Sequence, residues 1–192
     1  MPWRRFDRIS PRISDMCKSS DKTIILIGFM GAGKSTLGRA LARMTGMPLV
    51  DLDALIVEQQ RRPIPDIFAA EGEAAFRRYE TDALRSLPAD LSIIIATGGG
   101  IVGCEQNWQL MREMGTIIYL RAQWDSLRSR LSGSTGRPLA TADRSEADIK
   151  CLWQQRVPLY EQADFIVDTD GRGVDEVAQE IMSGVFDRWR AC

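Results

Sequence analysis

Histidine is missing altogether from the 192 residues, and that single absence excludes much chemistry. No Ser-His-Asp or Cys-His nucleophile and no histidine-ligated zinc site can be built. Cysteine is sparse: Cys17, Cys104, Cys151 and Cys192 lie far apart, with no C-x-x-C pair to suggest a metal knuckle or a redox dithiol. Four free thiols in a reducing cytosol are the expectation. Neither sign of charge is in surplus, since 25 basic residues face 26 acidic ones. Dedicated nucleic-acid binders carry a basic excess, so a nucleic-acid partner is not expected. No apolar run approaches the ~20 residues needed to cross a bilayer, so a membrane partner is not expected either. What remains for function is carboxylates, guanidiniums, hydroxyls and backbone amides.

The length suits one domain, because chains of about 100–200 residues usually make one. Such a chain buries about 70% of its unfolded surface and needs no disulfide or metal staple. The first 22 residues are basic and polar, with Arg4, Arg5, Arg8, Arg12, Lys18 and Lys22 against Asp7, Asp15 and Asp21. They lack the apolar core of a secretory signal, and three acidic residues argue against an organelle address. A disordered tail over 1–22 and a cytoplasmic location are expected. From residue 23 onward, buried runs alternate with helical patterns. Ile24-Ile25-Leu26-Ile27 is a continuous β-branched run of the kind that forms a strand buried on both faces. Leu37, Ala40, Leu41 and Met44 then mark a helical face, with Gly46 as its stop. Further strands are read at Pro48–Val50 (ending at Asp51), Ile93–Ala96, Thr116–Leu120 and Phe165–Val167. Phe76, Tyr79, Ala83 and Leu87 share one helical face, and Val174, Val177, Ala178, Ile181 and Val185 mark a closing helix. The pattern predicts a three-layer α/β sandwich around a parallel sheet. Ser132-Gly133-Ser134-Thr135-Gly136-Arg137-Pro138 is too rich in small residues to pack as core, which suits a mobile lid over about 132–145.

Gly28-Phe29-Met30-Gly31-Ala32-Gly33-Lys34-Ser35 fits G-x-x-x-x-G-K-[ST] without a mismatch. In such a loop the backbone N–H groups point at phosphate oxygens, and the following helix adds its positive end. Lys34, one of only four lysines, is placed to reach the β- and γ-phosphates, and the Ser35 hydroxyl to ligate Mg²⁺. A strand before the loop and a helix after it supply the required context. No N-K-x-D guanine motif follows.

The phosphate acceptor is less legible. Asp51-Leu52-Asp53 follows the second strand, at the carboxyl end of the sheet where ligands bind. One carboxylate could face Mg²⁺ and the other an acceptor hydroxyl; alternatively, Asp53 caps the next helix. Arg77 lies beside the apolar face and could clamp a carboxylate, or could simply pair with Glu80 on the helix surface. Arg137 could close over the transferring phosphate as an arginine finger, or be a solvated loop charge. Arg156 could be a surface charge near a proline kink.

Taken in order, G-x-x-x-x-G-K-S, Asp-Leu-Asp, Phe-Arg-Arg, Thr-Gly-Gly-Gly, Gly-Arg-Pro-Leu and Arg-Val-Pro-Leu-Tyr resemble the shikimate kinase family from about Thr23 to the closing helix. The resemblance implies a nucleoside-monophosphate-kinase-like P-loop fold, with a five-stranded parallel sheet of order 2-3-1-4-5 and a closing lid. It implies transfer of the ATP γ-phosphoryl to the 3-hydroxyl of shikimate; a monomer is expected. Gly31, Ala32, Gly33, Lys34, Ser35 and Thr36 would hold ATP. Ser35 would bind Mg²⁺ directly and Asp51 through water. Asp53 would bind the acceptor hydroxyls and take the departing proton, with Lys34 and Arg137 as its catalytic partners. Arg77 and Arg156 would grip the carboxylate, Gly99 would approach the ring, and Arg137 and Arg172 would contact the nucleotide. The sister gluconate kinases carry a histidine after their acceptor aspartates, and this chain has none. A sensing module that had lost turnover should lack Asp53 or an acceptor-side arginine, and here all are present.

Overall fold

The computed structural model describes residues 23–88, 91–132 and 145–191, with the side chains of 190 and 191 left aside. The expected tail, Arg137 and nearly all of the expected lid lie outside the described residues. Within them, β1 (Thr23–Ile27) is buried at every position and forms the middle of the sheet. On one side it pairs with β3 (Ile94–Ala96) and on the other with β4 (Gly115–Arg121), so Ile25 stands opposite both Ile95 and Ile117. β2 (Leu49–Asp51) and β5 (Phe165–Asp168) complete a parallel sheet of order β2-β3-β1-β4-β5. Edge position explains composition: β1 and β3 are all apolar or fully buried, whereas β2 and β5 keep partly exposed residues.

The strand order reverses at β1. β2 and β3 lie to one side, β4 and β5 to the other, and the resulting crevice opens at the carboxyl ends of the strands. Among the described residues seven α-helices flank the sheet, α1 (Lys34–Thr45), α2 (Leu52–Gln60), α3 (Ile64–Arg85), α4 (Glu105–Met114), α5 (Trp124–Ser132), α6 (Glu146–Tyr160) and α7 (Val174–Ala191). The α1 face buries Leu37, Ala40 and Leu41, and Gly46 ends the helix in the left-handed conformation, its N–H reaching the Ala42 carbonyl. Two expected core positions are corrected: Met44 and Val174 are exposed. Each sits at the end of its helix, where the apolar stripe runs past the edge of its neighbours. Tyr79 is only half-buried because its hydroxyl turns outward to Glu71.

Candidate active site

The turn from β1 to α1 is built to receive an anion. Gly31 (φ 83°) and Gly33 (φ 95°) take left-handed conformations that other residues adopt only with strain. The α1 N-terminus has no side-chain cap and no acidic residue in its first turn. Its free N–H groups and dipole are therefore left for a ligand. Lys34 Nζ donates to the carbonyls of Gly28 (2.7 Å) and Phe29 (3.0 Å), which holds the ammonium over the loop. Ser35 Oγ donates to Asp51 Oδ2 at 2.7 Å, joining the helix start to the end of β2. Ala32 is buried, and its N–H donates to the Phe29 carbonyl.

A solvent-open cleft of about 200 Å³ runs from this loop to the Thr97–Gly100 turn after β3. Of the residues singled out in the sequence, Gly31, Gly33, Lys34, Ser35, Thr36, Asp51, Asp53, Arg77, Gly99 and Arg156 line it. Asp51, not Asp53, caps α2, accepting from the Ala54 N–H at 3.3 Å. Asp53 thus lies inside the first turn, and its Oδ1 would stand 2.9 Å from a Cβ placed on Gly98. Arg77 folds over Gly100, where any Cβ would overlap the guanidinium. Gly99 is pressed against the phosphate loop, with Met30 N 3.3 Å from where its Cβ would be. Its carbonyl accepts from Tyr160 Oη at 2.5 Å and from Arg156 NH1 at 3.4 Å. Each of the three glycines of the turn thus gives up its side chain to a functional neighbour.

The Arg77–Glu80 pair also forms, at 2.6 Å, but not on the surface. Glu80 is completely buried and lines the cleft. Burial pushes its carboxyl above the ordinary glutamate range; Arg77 pulls it down, and Asp53 pushes it further up. For Arg77, burial works against the charge, yet Glu80 and Glu73 together hold the guanidinium above its usual value. Phe76 stacks beside Arg77 and against Phe68, giving one cleft wall an apolar surface.

Arg137 lies outside the described residues. Arg172 lies away from the cleft lining, held by Glu176 (2.8 Å), by Glu180 and by the Asp168 carbonyl (3.2 Å). Three residues escaped sequence reasoning. Glu80 carried a signal, its i+3 spacing from Arg77, but the spacing does not tell a buried pair from an exposed one. Tyr160 closes the Arg-Val-Pro-Leu-Tyr run and could have been read as a buried donor. Arg130 carried none: α5 brings its NH1 to the Gly31 carbonyl (3.2 Å) and its NH2 to Asp170 (3.9 Å).

A phosphate loop at the switch point of a parallel 2-3-1-4-5 sheet, facing carboxylates and arginines across one cleft, defines a P-loop small-molecule kinase. The family model for shikimate kinase matches residues 30–185. A shikimate kinase from Thermodesulfovibrio yellowstonii is 40% identical over 84% of this chain and 93% of its own length. The solved shikimate kinase from Acinetobacter baumannii, in complex with shikimate, superposes with a TM-score of 0.83 at 32% identity, covering 88% of this chain and 96% of that one. A gluconokinase from Sinorhizobium meliloti, 17% identical over 91% of this chain and 97% of its own, shares the fold at a TM-score of 0.55. The chain belongs to the shikimate kinase family and is a phosphotransferring enzyme.

Proposed function

We propose that this enzyme transfers the γ-phosphoryl group of ATP to the 3-hydroxyl of shikimate, releasing ADP and shikimate 3-phosphate. The observation that carries this reading is one cleft with two chemically distinct halves. One half is the uncapped helix start with Lys34; the other is Asp53 with Arg77 and Arg156, suited to an acceptor bearing both hydroxyls and a carboxylate. The backbone of Gly31 and Gly33, Thr36 and the ammonium of Lys34 hold and neutralise the phosphates. Asp53 orients the acceptor hydroxyl. As the new O–P bond forms and the bond to the β-phosphate oxygen breaks, the hydroxyl proton passes to the Asp53 carboxylate. Arg77 and Arg156 fix the ring by its carboxylate, so the reacting oxygen meets the phosphate in line. Gly99 lets the ring approach the turn, and the charge of Arg137 serves the transferring phosphate.

The donor set fits Mg²⁺. Ser35 and Asp51 offer a hydroxyl and a carboxylate, hard oxygen ligands already joined by a hydrogen bond. Among the described residues no group of three His, Cys, Asp or Glu could hold a metal by itself. Mg²⁺ with few protein ligands takes the rest from phosphate and water. When bound, it neutralises charge on the phosphate oxygens. Both cleft halves come from one chain, which supports action as a monomer, in the cytoplasm where ATP is supplied.

Purified protein mixed with Mg·ATP and shikimate, gluconate or no acceptor tests the reading. ADP release only with shikimate is the expected result. Gluconate-dependent release would assign the chain to the sister activity, and nucleotide binding without turnover on any acceptor would make it a sensing module.

A further inference from the structure

Arg77 already spends both terminal nitrogens on carboxylates of its own helix. NH1 donates to Glu80 Oε2 at 2.6 Å and NH2 to Glu73 Oε1 at 2.7 Å. The two partners differ in kind: the Glu73 side chain is 49% exposed and that of Glu80 is 0% exposed. The second oxygen of Glu80, Oε1, is buried and accepts no hydrogen bond. A Cβ on Gly98 would lie 2.7 Å from that oxygen and 2.9 Å from Asp53 Oδ1. The two carboxyls therefore stand within about 6 Å of each other, close enough for each charge to resist the other. The charged groups that act on Glu80 are Arg77 from α3, Asp53 from α2 and Arg156 from α6, with Glu73 acting through Arg77. That set holds three carboxylates against two guanidiniums before any acceptor arrives.

We propose that Glu80 takes up a proton when the carboxylate of the acceptor docks on Arg77 and Arg156. The inference rests on the acceptor reading given above, which brings a fourth carboxylate to the same two guanidiniums. A proton from solvent bonds to the Glu80 carboxyl, and the net charge of the set is the same before and after binding. Glu80 is the group to change because the forces on it are so divided. Burial and Asp53 favour its neutral form, and only Arg77 and Arg156 oppose them. Those two arginines are the ones an acceptor carboxylate neutralises, so docking removes what kept Glu80 ionised. Neutral Glu80 still accepts from Arg77 through Oε2, so the guanidinium keeps its place while its charge serves the ligand. The competing way to accommodate a fourth carboxylate is for half-exposed Glu73 to swing off Arg77 into water, which moves no proton.

Calorimetric titration of the full chain with shikimate at pH 7, in buffers of different ionisation enthalpy, separates the two. The expected heat changes linearly with buffer enthalpy, with a slope corresponding to uptake of up to one proton per shikimate. Glu80→Gln should bind shikimate with the slope lost, and Glu73→Gln should keep it. Because protons are consumed, the shikimate Kd of the native protein should rise as pH goes from 6 to 8.5. A zero slope with clear shikimate heat overturns the proton uptake and leaves the acceptor reading standing. A slope that survives Glu80→Gln overturns the assignment to Glu80. If Glu80→Gln does not fold, the slope and pH trend of the native protein, with the Glu73→Gln slope, decide. Absence of shikimate binding in every buffer overturns both readings.

Discussion

Asp53 and Arg77 carry different parts of the proposed reaction, so their loss should register differently. Asp53→Ala removes the proton acceptor, and kcat should fall by about 10²- to 10⁴-fold with the ATP Kd nearly unchanged. Turnover close to native would remove Asp53 from that role. Arg77→Ala removes a charged partner of the acceptor carboxylate, and the KM for shikimate should rise by roughly 100-fold. The same change strands Glu80, which is 0% exposed and ion-paired to Arg77. Without that partner Glu80 either takes up a proton or stays an unpaired buried charge, and the lost pair costs up to about 3 kcal/mol, so this variant should also melt lower, whereas Asp53→Ala should not. A denaturation series on both variants checks that contrast. Glu80 itself marks a limit of sequence reasoning. Arg77 and Glu80 at i and i+3 were legible as a pair, but their burial depends on α2, α4 and the turn after β3 packing against α3, and no local pattern encodes that.

At the scale of elements, the turn after β3 does the most for the site. Gly100 has φ −97° and ψ −3°, a conformation alanine adopts without strain, yet a Cβ there would overlap the Arg77 guanidinium. The displaced group is the far end of a flexible side chain. Gly100→Ala should therefore raise the shikimate KM about tenfold or more while Tm stays within about 2 °C, as expected for a change that costs the fold little. An unchanged KM would mean that Arg77 works from another position. The triple glycine was visible in the sequence as a strand end. That its three positions serve Glu80 with Asp53, the phosphate loop and Arg77 in turn became visible only when α2 and α3 were placed against it. The strands were legible almost to the residue because a parallel sheet covered on both faces demands unbroken apolar runs. Helix ends were less so: Met44 and Val174 fit the period but fall beyond the covering surface.

For the whole molecule, the two-sided cleft predicts that nucleotide binding and acceptor chemistry separate. Mg·ATP at 100 times its Kd should add about 2.7 kcal/mol to the stability of the native protein, a rise in Tm of about 5–10 °C. Thermal melting should show the same rise in Asp53→Ala and lose it in Lys34→Ala. Loss of the shift in Asp53→Ala would mean that the two halves are not independent. The fold and the phosphate half were legible because a glycine loop and a helix start are local in sequence. The acceptor half is assembled from α2, α3, α6 and the turn after β3, and only a family resemblance joined those parts in advance. The most direct test of the central claim is the identity of the product. Nuclear magnetic resonance of the ester formed from Mg·ATP and shikimate should show phosphorus coupled to the proton on carbon 3. Coupling to a different ring proton, or ADP formed with no ester at all, would contradict the account.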